Sequence, residues 1–182
     1  MRFAAIVIAI LFLALPARWA ISSRHGNKCG DCATRLVAEI RNSEDQDAGT
    51  VTFEQIGPNL RIDLALKNLP PGQHAVYLHT NPVCAPPDFP NIGPHFNPDN
   101  KGHGTLNPYG HHNGDLPNIL VNADRTADAT FNVTGLSLGT GYPNSIYRGE
   151  SLVIHDMPDD LIDEPDGFAG KPIACGIVAT GG

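Results

Sequence analysis

The 182-residue sequence has few of the features that would make it helical, nucleic-acid-binding or membrane-embedded. Only 12 Lys and Arg residues oppose 19 Asp and Glu residues, and the net charge of -7 argues against nucleic acid or an anionic membrane surface as its main partner. Beyond the N-terminal segment, no stretch shows helical periodicity, an internal repeat or a second domain. The 19 Gly and 16 Pro residues instead favour short strands joined by long ordered loops.

The N-terminus carries a hydrophobic run that is too short for a comfortable membrane span. Arg2 precedes apolar residues 3–17, and a cut after Ser22 would place Ala20 at the small-residue position of a cleavage site. We therefore predict that residues 1–22 are a signal peptide; the alternative is an uncleaved anchor. Export to a secreted or periplasmic location leaves no membrane attachment after leader removal and makes the four cysteines disulfide candidates.

The rest of the chain alternates apolar and polar residues with a period of two, which is typical of half-buried antiparallel strands. In residues 60–67 every even position is apolar and most odd positions are charged. Eight segments have strand character: residues 35–41, 50–54, 60–67, 73–79, 119–122, 129–134, 151–155 and 173–179. Eight short strands separated by turns predict an all-β fold, either a sandwich or a flattened Greek-key barrel.

Two long segments, residues 80–116 and 156–171, lack strand character. Loops of this length in a compact domain are usually functional or disordered. The first is rich in Pro, Gly, Asn and His, a composition that suits a metal-organised loop. We therefore expect residues 33–182 to form one domain with two functional loops, preceded by an N-terminal segment, residues 23–32, that contains a Cys-x-x-Cys motif.

Histidine is concentrated in the first of these loops. Four of the chain's eight histidines lie between residues 95 and 112, and Asp115 follows them closely. Three neutral imidazoles and one carboxylate form a tetrahedral donor set that suits Zn²⁺. The alternative is a polar loop whose histidines face solvent, but a loop gains little from so many histidines without a metal.

Six short motifs follow one another along the chain in a fixed order. They are Gly72-Gln73-His74, His95-Phe96-Asn97-Pro98, His103-Gly104, His112-Asn113-Gly114-Asp115-Leu116-Pro117-Asn118, Ser151-Leu152-Val153-Ile154-His155 and Ala174-Cys175-Gly176. In order and spacing they resemble the Cu/Zn superoxide dismutase family, from about Ala33 to the C-terminus. The motif residues are more like those of bacterial members. The resemblance implies an eight-stranded Greek-key barrel, which agrees with the strand pattern.

The resemblance also implies two neighbouring metal sites. The zinc ligands would be His95, His103, His112 and Asp115. His95 would bridge to copper, whose other ligands would be His155 and the two histidines of a His-x-His pair on one strand.

Three further residues take roles from the same resemblance. Asp159 matches the aspartate that ties a copper-ligand histidine to a zinc-ligand histidine. Cys84 and Cys175 match the disulfide that fastens the histidine-rich loop to the last strand. For Cys29 and Cys32, in an oxidising compartment, we expect a local or intermolecular disulfide more than a reactive thiol pair.

The copper site departs from the family pattern at Tyr77. The strand reads Tyr77-Leu78-His79, so Tyr77 stands where the first histidine of the pair is expected, and His74, at an odd offset, would lie on the opposite strand face. A phenol has a pKa of about 10 and must lose its proton to bind a metal well. Either the Tyr77 ring fills the vacated copper pocket, or its phenolate is a ligand that favours Cu(II).

Two further departures concern the entry of superoxide. Pro172 stands where the family carries the arginine that guides and holds a small anion, with Lys171 beside it. Residues 156–171 carry six acidic side chains against Lys171 alone, where family members use lysines to draw superoxide in. Such a rim repels an anion instead of steering it.

Because three elements of the family's mechanism are altered together, the sequence predicts a secreted protein with an intact structural zinc site and a degraded copper site. It would be weak or inactive as a dismutase and would act in metal binding or interaction. The alternative is an atypical enzyme that converts superoxide to O₂ and H₂O₂ with copper held by His79, His95, His155 and Tyr77 or water. Zn²⁺ is the expected cofactor, Cu²⁺ is in question, superoxide is a partner only of an active enzyme, and a homodimer is left open.

Overall fold

The computed structural model describes residues 34–179, so the predicted signal peptide and the Cys-x-x-Cys segment lie outside the described residues. Within this range the chain forms eight strands, and no helix there is long and apolar enough to cross a membrane. The strands are β1 (Arg35–Asn42), β2 (Asp47–Ile56), β3 (Asn59–Leu66), β4 (Gly72–His79), β5 (Asp115–Val121), β6 (Ala127–Val133), β7 (Ser151–His155) and β8 (Pro172–Ile177).

The eight strands form one antiparallel sheet in the order β5-β4-β7-β8-β1-β2-β3-β6. Its two edge strands, β5 and β6, approach each other, so the sheet curls into a nearly closed barrel. The chain crosses the barrel between β3 and β4 and again between β6 and β7, which gives the Greek-key connectivity. The predicted all-β, eight-stranded barrel is therefore confirmed.

The two-residue periodicity of the sequence decides which side of each strand faces the barrel interior. In β3, Leu60, Ile62 and Leu64 are buried in the core and Arg61 is exposed. Complete burial of one such side chain stabilises the fold by about 1.5–3 kcal/mol. On β6 the matching apolar residues are only half-buried, because that strand lies at the edge of the sheet.

Two long loops cover the outer face of the barrel beside β4 and β7. We call residues 80–114 the histidine loop and residues 156–171 the acidic loop. β5 begins at Asp115, four residues earlier than predicted, because Asp115 already pairs with Tyr77 across the sheet. The sequence pattern does not predict this extension, because Pro117 interrupts the alternation of apolar and polar residues where the β4–β5 pairing has an irregularity in its register.

Strands β4 and β7 are buried on both faces because these loops cover their outer side. Even-numbered residues of β4, such as Val76 and Leu78, pack in the barrel core, whereas Tyr77 and His79 lie on the outer face. His155, at the end of β7, lies on the same outer face. The candidate copper residues therefore stand outside the barrel core and beneath loops.

A disulfide joins Cys84 of the histidine loop to Cys175 of β8, with Cα atoms 5.5 Å apart. Phe89 and Val153 pack against it in a small buried cluster outside the main core. The pairing implied by the family resemblance is thus the one that the structure contains, and it fastens the histidine loop to the barrel.

Candidate metal centre

Four buried side chains converge at the base of the histidine loop, and we call them the zinc cluster. Its members are His95, His103, His112 and Asp115, whose potential ligand atoms all lie within 4.8 Å of one another. Asp115 is the first residue of β5, and the three histidines lie in the histidine loop that leads to it. The sequence prediction named these same four residues.

Asp115 is the focus of the cluster. Its Oδ1 lies 2.9 Å from Nδ1 of His95 and 3.2 Å from Nδ1 of His112, and its Oδ2 lies 3.2 Å from Nδ1 of His103. Backbone N–H groups of Gly104 and His112 also donate to Oδ2. One carboxylate thus meets three imidazole nitrogens of the same kind, and the nitrogens of His95 and His112 lie 3.3 Å apart.

The charges in the cluster are strongly coupled. Burial raises the pKa of Asp115, but hydrogen bonds from His103, His112 and His95 outweigh it and hold that pKa far below the usual range. Burial lowers the pKa of His103, but hydrogen bonds with Asp115 and Asp159 outweigh it and raise the pKa to about 10. The site therefore favours positive charge. This donor set fits Zn²⁺.

Asp159 supports the cluster from the acidic loop. Its Oδ1 lies 3.0 Å from Nε2 of His103 and accepts the backbone N–H of Leu161, while its Oδ2 is buried without a partner in the described residues. Outer carboxylates of this kind orient metal-binding imidazoles. Gly167 passes so close that a Cβ there would collide with Asp159 Oδ1, and its φ of 60° favours glycine.

Beside the zinc cluster lies the copper pocket, which we define by Tyr77, His79 and His155 together with the shared His95. Nδ1 of His79 lies 2.8 Å from the carbonyl oxygen of Gly93, and Nδ1 of His155 lies 3.0 Å from that of Gly170. A carbonyl only accepts, so each ring carries its proton on Nδ1. Nε2 of both rings is then a buried lone pair, without a partner in the described residues.

Burial keeps these two imidazoles neutral. It lowers the pKa of His79 to about 3, with the hydrogen bond to Gly93 opposing it, and it also lowers the pKa of His155. Buried lone pairs that face no donor are costly in an ordinary core. The two nitrogens are donors of the kind that a metal ion binds, but they supply only part of the donor set of a tetragonal copper site.

Tyr77 lies between the histidines of the copper pocket and the zinc cluster. Its ring is fully buried, with its centroid 4.0 Å from that of His95 and 5.2 Å from that of His155. Its hydroxyl donates to the carbonyl oxygen of Asp166, 3.0 Å away. Burial, followed by the charge of Asp159, raises the pKa of the phenol above its ordinary value. The phenol is therefore protonated, and its proton is donated to the acidic loop.

His74 lies outside the copper pocket, and its position in the sequence predicted this. Its Nδ1 lies 2.8 Å from the carbonyl oxygen of His155, and its Nε2 lies 2.9 Å from that of Pro70. It links β4 to β7 and to the turn before β4. His111, the fourth histidine of the loop cluster, is half-buried and faces the carbonyl oxygen of His112.

A cavity of about 690 Å³ opens beside the copper pocket. Its lining includes His79, His95 and His155, and also Glu164 and Asp166 of the acidic loop. Of the six acidic residues that the sequence places in this loop, these two line the cavity.

Pro172 stands at the start of β8, paired across the sheet with His155. Pro172 is thus next to a copper-pocket histidine and has neither a charge nor an N–H group. Lys171 precedes it and is exposed, with its backbone N–H held by the side chain of Asp156.

Three contributors to the site had no signal in the sequence. The carbonyl groups of Gly93 and Gly170 fix the tautomers of the copper-pocket histidines, and the side chain of Glu164 accepts the backbone N–H of His103 at 2.7 Å. Backbone acceptors cannot be recognised from residue type. Glu164 is one acid among several in its loop, so only the fold distinguishes it.

Comparison with known proteins agrees with this architecture. Residues 47–178 match the family model of copper/zinc superoxide dismutase. The chain is 40% identical over 144 residues to superoxide dismutase (Cu-Zn) 1 of Aquifex aeolicus, covering 78% of this chain and 85% of that protein. It is 36% identical over 144 residues to the superoxide dismutase-like protein YojM of Bacillus subtilis, covering 77% of this chain and 74% of that protein.

A solved structure is also similar. It is the crystal structure of a double mutant of a SOD-like protein from Bacillus subtilis, in which a tyrosine and a proline are each replaced by histidine. The two folds agree with a TM-score of 0.76 at 34% sequence identity, covering 81% of this chain and 99% of that one.

Proposed function

Because this chain belongs to the copper/zinc superoxide dismutase family, we propose that it is an exported, zinc-stabilised member with a degraded copper site. It is a weak or inactive dismutase and acts in metal binding or as an interaction module. Zinc in the zinc cluster orders the histidine loop, whose folding would otherwise cost much conformational entropy.

The observation that carries the proposal is the hydrogen bond from the Tyr77 hydroxyl to the acidic loop. Dismutation needs copper that alternates between Cu(II) and Cu(I), and an array of nitrogen donors tunes that cycle. The Tyr77 hydroxyl donates to the carbonyl oxygen of Asp166, and burial raises its pKa, so it supplies neither a nitrogen nor a phenolate. The pocket is left with fewer donors than the family's copper site.

The entrance supports the same proposal. Glu164 and Asp166 line the cavity, and Pro172 offers no charge beside His155. A negative rim lowers the local concentration of an anion such as superoxide and slows its association. Loss of a ligand and loss of steering therefore act in the same direction.

The disulfide supports the proposed location. Cys84 and Cys175 are bridged, and such bonds form and persist in secreted or periplasmic proteins. Removal of residues 1–22 as a signal peptide would deliver the chain to that compartment.

Metal analysis and superoxide decay on one preparation test the proposal. The pure protein is offered zinc and copper in excess, desalted and analysed for both metals, and superoxide decay is followed spectroscopically. We expect about one zinc per chain and decay little faster than the uncatalysed rate. Decay near the diffusion limit with copper loaded would contradict the proposal.

A second candidate, an atypical copper enzyme, is favoured by the free Nε2 lone pairs of His79 and His155. In that enzyme His79, His95 and His155 hold copper, together with Tyr77 or water. A phenolate ligand would give the oxidised protein an intense visible absorption that Tyr77→Phe abolishes. We expect no such band from the protein loaded with Cu(II).

A further inference from the structure

We propose that a second cavity, lined mainly by the segment that joins β6 to β7, binds a small zwitterion that carries an ammonium group and a carboxylate. We call this segment, residues 134–150, the β6–β7 loop. The ammonium group would meet the buried carboxylate of Glu150, and the ligand carboxylate would meet the guanidinium of Arg148, since both side chains line the cavity. The inference goes beyond the proposed function and does not depend on it.

The cavity has a volume of about 360 Å³ and is distinct from the one beside the copper pocket. Of the described residues of the histidine loop, only Phe96 lines it, and Phe96 is the one lining residue that the two cavities share. Sites for small molecules usually occupy about 300–1,000 Å³, so this volume favours a small ligand. The other lining residues belong to the β6–β7 loop: Gly141, Tyr142, Pro143, Ser145, Arg148 and Glu150.

The first support is a buried carboxylate oxygen that lacks a partner. Glu150 is 6% exposed, and its Oε2 has no hydrogen-bond partner in the described residues. Burial raises the pKa of Glu150, although the backbone N–H groups of Glu150 and Gly149 and the charge of Arg148 oppose that rise. A buried oxygen without a donor is costly in an ordinary core. An ammonium group in the cavity would supply both the missing donor and the opposite charge.

The second support is a positive charge that lines the same cavity. Gly149, with a φ of 98°, turns the backbone so that Arg148 is exposed while Glu150 is buried. Within residues 34–179 no ion pair joins Arg148 to Glu150. The Ser145 hydroxyl accepts the backbone N–H of Tyr147, which leaves its own proton for a ligand carboxylate.

These two charges select against simple ions. Arg148 would repel a ligand that is only a cation, and Glu150 would repel a ligand that is only an anion. A molecule that carries both charges meets an opposite charge at each end. The cavity therefore fits a small amino acid better than a simple amine or a simple acid.

The third support is the apolar surface between the charges. Phe96, Tyr142 and Pro143 line the cavity and can cover a short alkyl chain. The Tyr142 ring lies against Gly139, where a Cβ would be 2.9 Å from its Cε2. The backbone N–H of Ser145 donates to the carbonyl oxygen of Tyr142 at 3.1 Å, and this turn holds the tyrosine in place. The face of an aromatic ring also attracts an ammonium group.

The test is a titration of the full-length, zinc-loaded protein, followed by NMR chemical shifts of the backbone amides. The probes are 4-aminobutanoate, 5-aminopentanoate and 6-aminohexanoate, which differ in the distance between their charges. Pentylamine lacks the carboxylate of 5-aminopentanoate, and pentanoate lacks its ammonium group. We expect saturable binding of at least one amino acid with shifts in the β6–β7 loop, and binding of pentylamine and pentanoate that is weaker by about tenfold or more.

Variants identify which charge meets which group. Glu150→Gln keeps the size of the side chain and should weaken binding of the amino acid by about tenfold to 100-fold, without weakening pentanoate. Arg148→Gln should weaken it by about threefold to fivefold, without weakening pentylamine, because an exposed ion pair contributes less. Glu54→Gln and Arg35→Gln change exposed residues of β2 and β1 and are the matched controls. Circular dichroism and zinc content check that each variant is folded.

The outcomes keep this inference separate from the proposed function. Absence of saturable binding by all three amino acids, or binding that Glu150→Gln leaves unchanged, overturns the inference. Equal binding of pentylamine and 5-aminopentanoate also overturns it, because it would indicate a site for simple cations. Shifts confined to the copper pocket would place the ligand in the other cavity and overturn it as well. None of these results changes the expected zinc content or the expected rate of superoxide decay.

Discussion

In the zinc cluster three imidazole nitrogens face one carboxylate, whereas in the adjoining copper pocket two imidazole nitrogens face no partner. The Asp115 carboxylate lies within 3.2 Å of Nδ1 of each zinc-cluster histidine, while Nε2 of His79 and of His155 is buried without a hydrogen-bond partner in the described residues. His95 belongs to both sites, and its ring packs against that of Tyr77 with the centroids 4.0 Å apart. Two sites that share a residue therefore differ in whether their donors converge on a common centre.

Tyr77 lies where the two sites meet, with its ring centroid 4.0 Å from that of His95 and 5.7 Å from that of His103. Oδ1 of Asp159 lies 3.0 Å from Nε2 of His103, and its Oδ2 has no hydrogen-bond partner in the described residues. The Tyr77 hydroxyl donates to the carbonyl oxygen of Asp166. A histidine at position 77 would have a second ring nitrogen to offer to Oδ2 of Asp159.

The largest expected effect is removal of zinc. At zinc concentrations near 1,000 times Kd the metal stabilises the fold by about 4 kcal/mol. At about 2–4 °C per kcal/mol, chelation should lower Tm by about 10 °C. Calorimetry with and without chelator, alongside elemental analysis, checks this. Asp115→Ala should no longer respond to chelator, and an unchanged melting curve after verified zinc removal would show that the cluster is not structural.

Loss of the disulfide should follow closely. The bridge between Cys84 and Cys175 closes a sequence separation of 91 residues, for which the chain-entropy model gives about 4 kcal/mol. Replacing both cysteines with alanine should lower the free energy of unfolding by about that amount, measured by urea denaturation. The control replaces Cys29 and Cys32 and should have little effect. Peptide mapping that joins Cys84 to either N-terminal cysteine would refute the pairing.

Gly167→Ala should damage the zinc side selectively. The substitution places a Cβ against Asp159 Oδ1 at a φ of 60°, and we expect a loss of about 2 kcal/mol and weaker zinc binding. Gly57→Ala is a matched control, because Gly57 has a φ of 59° with nothing within 4 Å of its Cβ position. Equal losses of zinc affinity in the two variants would mean that contact with Asp159 is unimportant.

Tyr77→Phe should have a smaller effect, confined to the copper side. It removes the hydrogen bond to the Asp166 carbonyl, which is worth about 1 kcal/mol, and should leave zinc affinity unchanged. Denaturation in urea measures the change, with Tyr109→Phe as the control because Tyr109 is 89% exposed. Release of zinc by Tyr77→Phe would show that the two sites are still coupled.

The smallest expected effects are on the rate of superoxide dismutation. Tyr77→His adds a nitrogen donor and should produce a type-2 Cu(II) signal with only a modest gain in dismutase activity. Adding Pro172→Arg should raise the rate further, by about threefold at low salt, because it places a positive charge beside His155.

Measuring the rate at several salt concentrations distinguishes electrostatic steering of superoxide from other causes of the gain that Pro172→Arg gives. Steering is screened over about 10 Å at 0.1 M salt, so the increment from Pro172→Arg should shrink as salt is added. An increment that is independent of salt would exclude steering. A fall in activity on Tyr77→His would mean that Tyr77 is a working part of the site and that the proposed function is wrong.

Much of the fold was predictable because its strands obey one simple period. The alternation in residues 60–67 predicts that Leu60, Ile62 and Leu64 face the barrel interior, and all three are buried there. The start of β5 was missed because pairing with β4, and not alternation, extends it to Asp115. Pairing between distant strands has no signature within either strand.

The sequence by itself determined which side chains are available: the four residues of the zinc cluster, the cysteines and a tyrosine at position 77. Residue type and order carry that information. Only the tertiary structure decided where those side chains point. The carbonyl groups of Gly93, Gly170 and Asp166 fix two imidazoles and one phenol, and every residue has a carbonyl. Which carbonyl meets which ring depends on how loops far apart in sequence pack over the barrel, because hydrogen bonds form between neighbours in space.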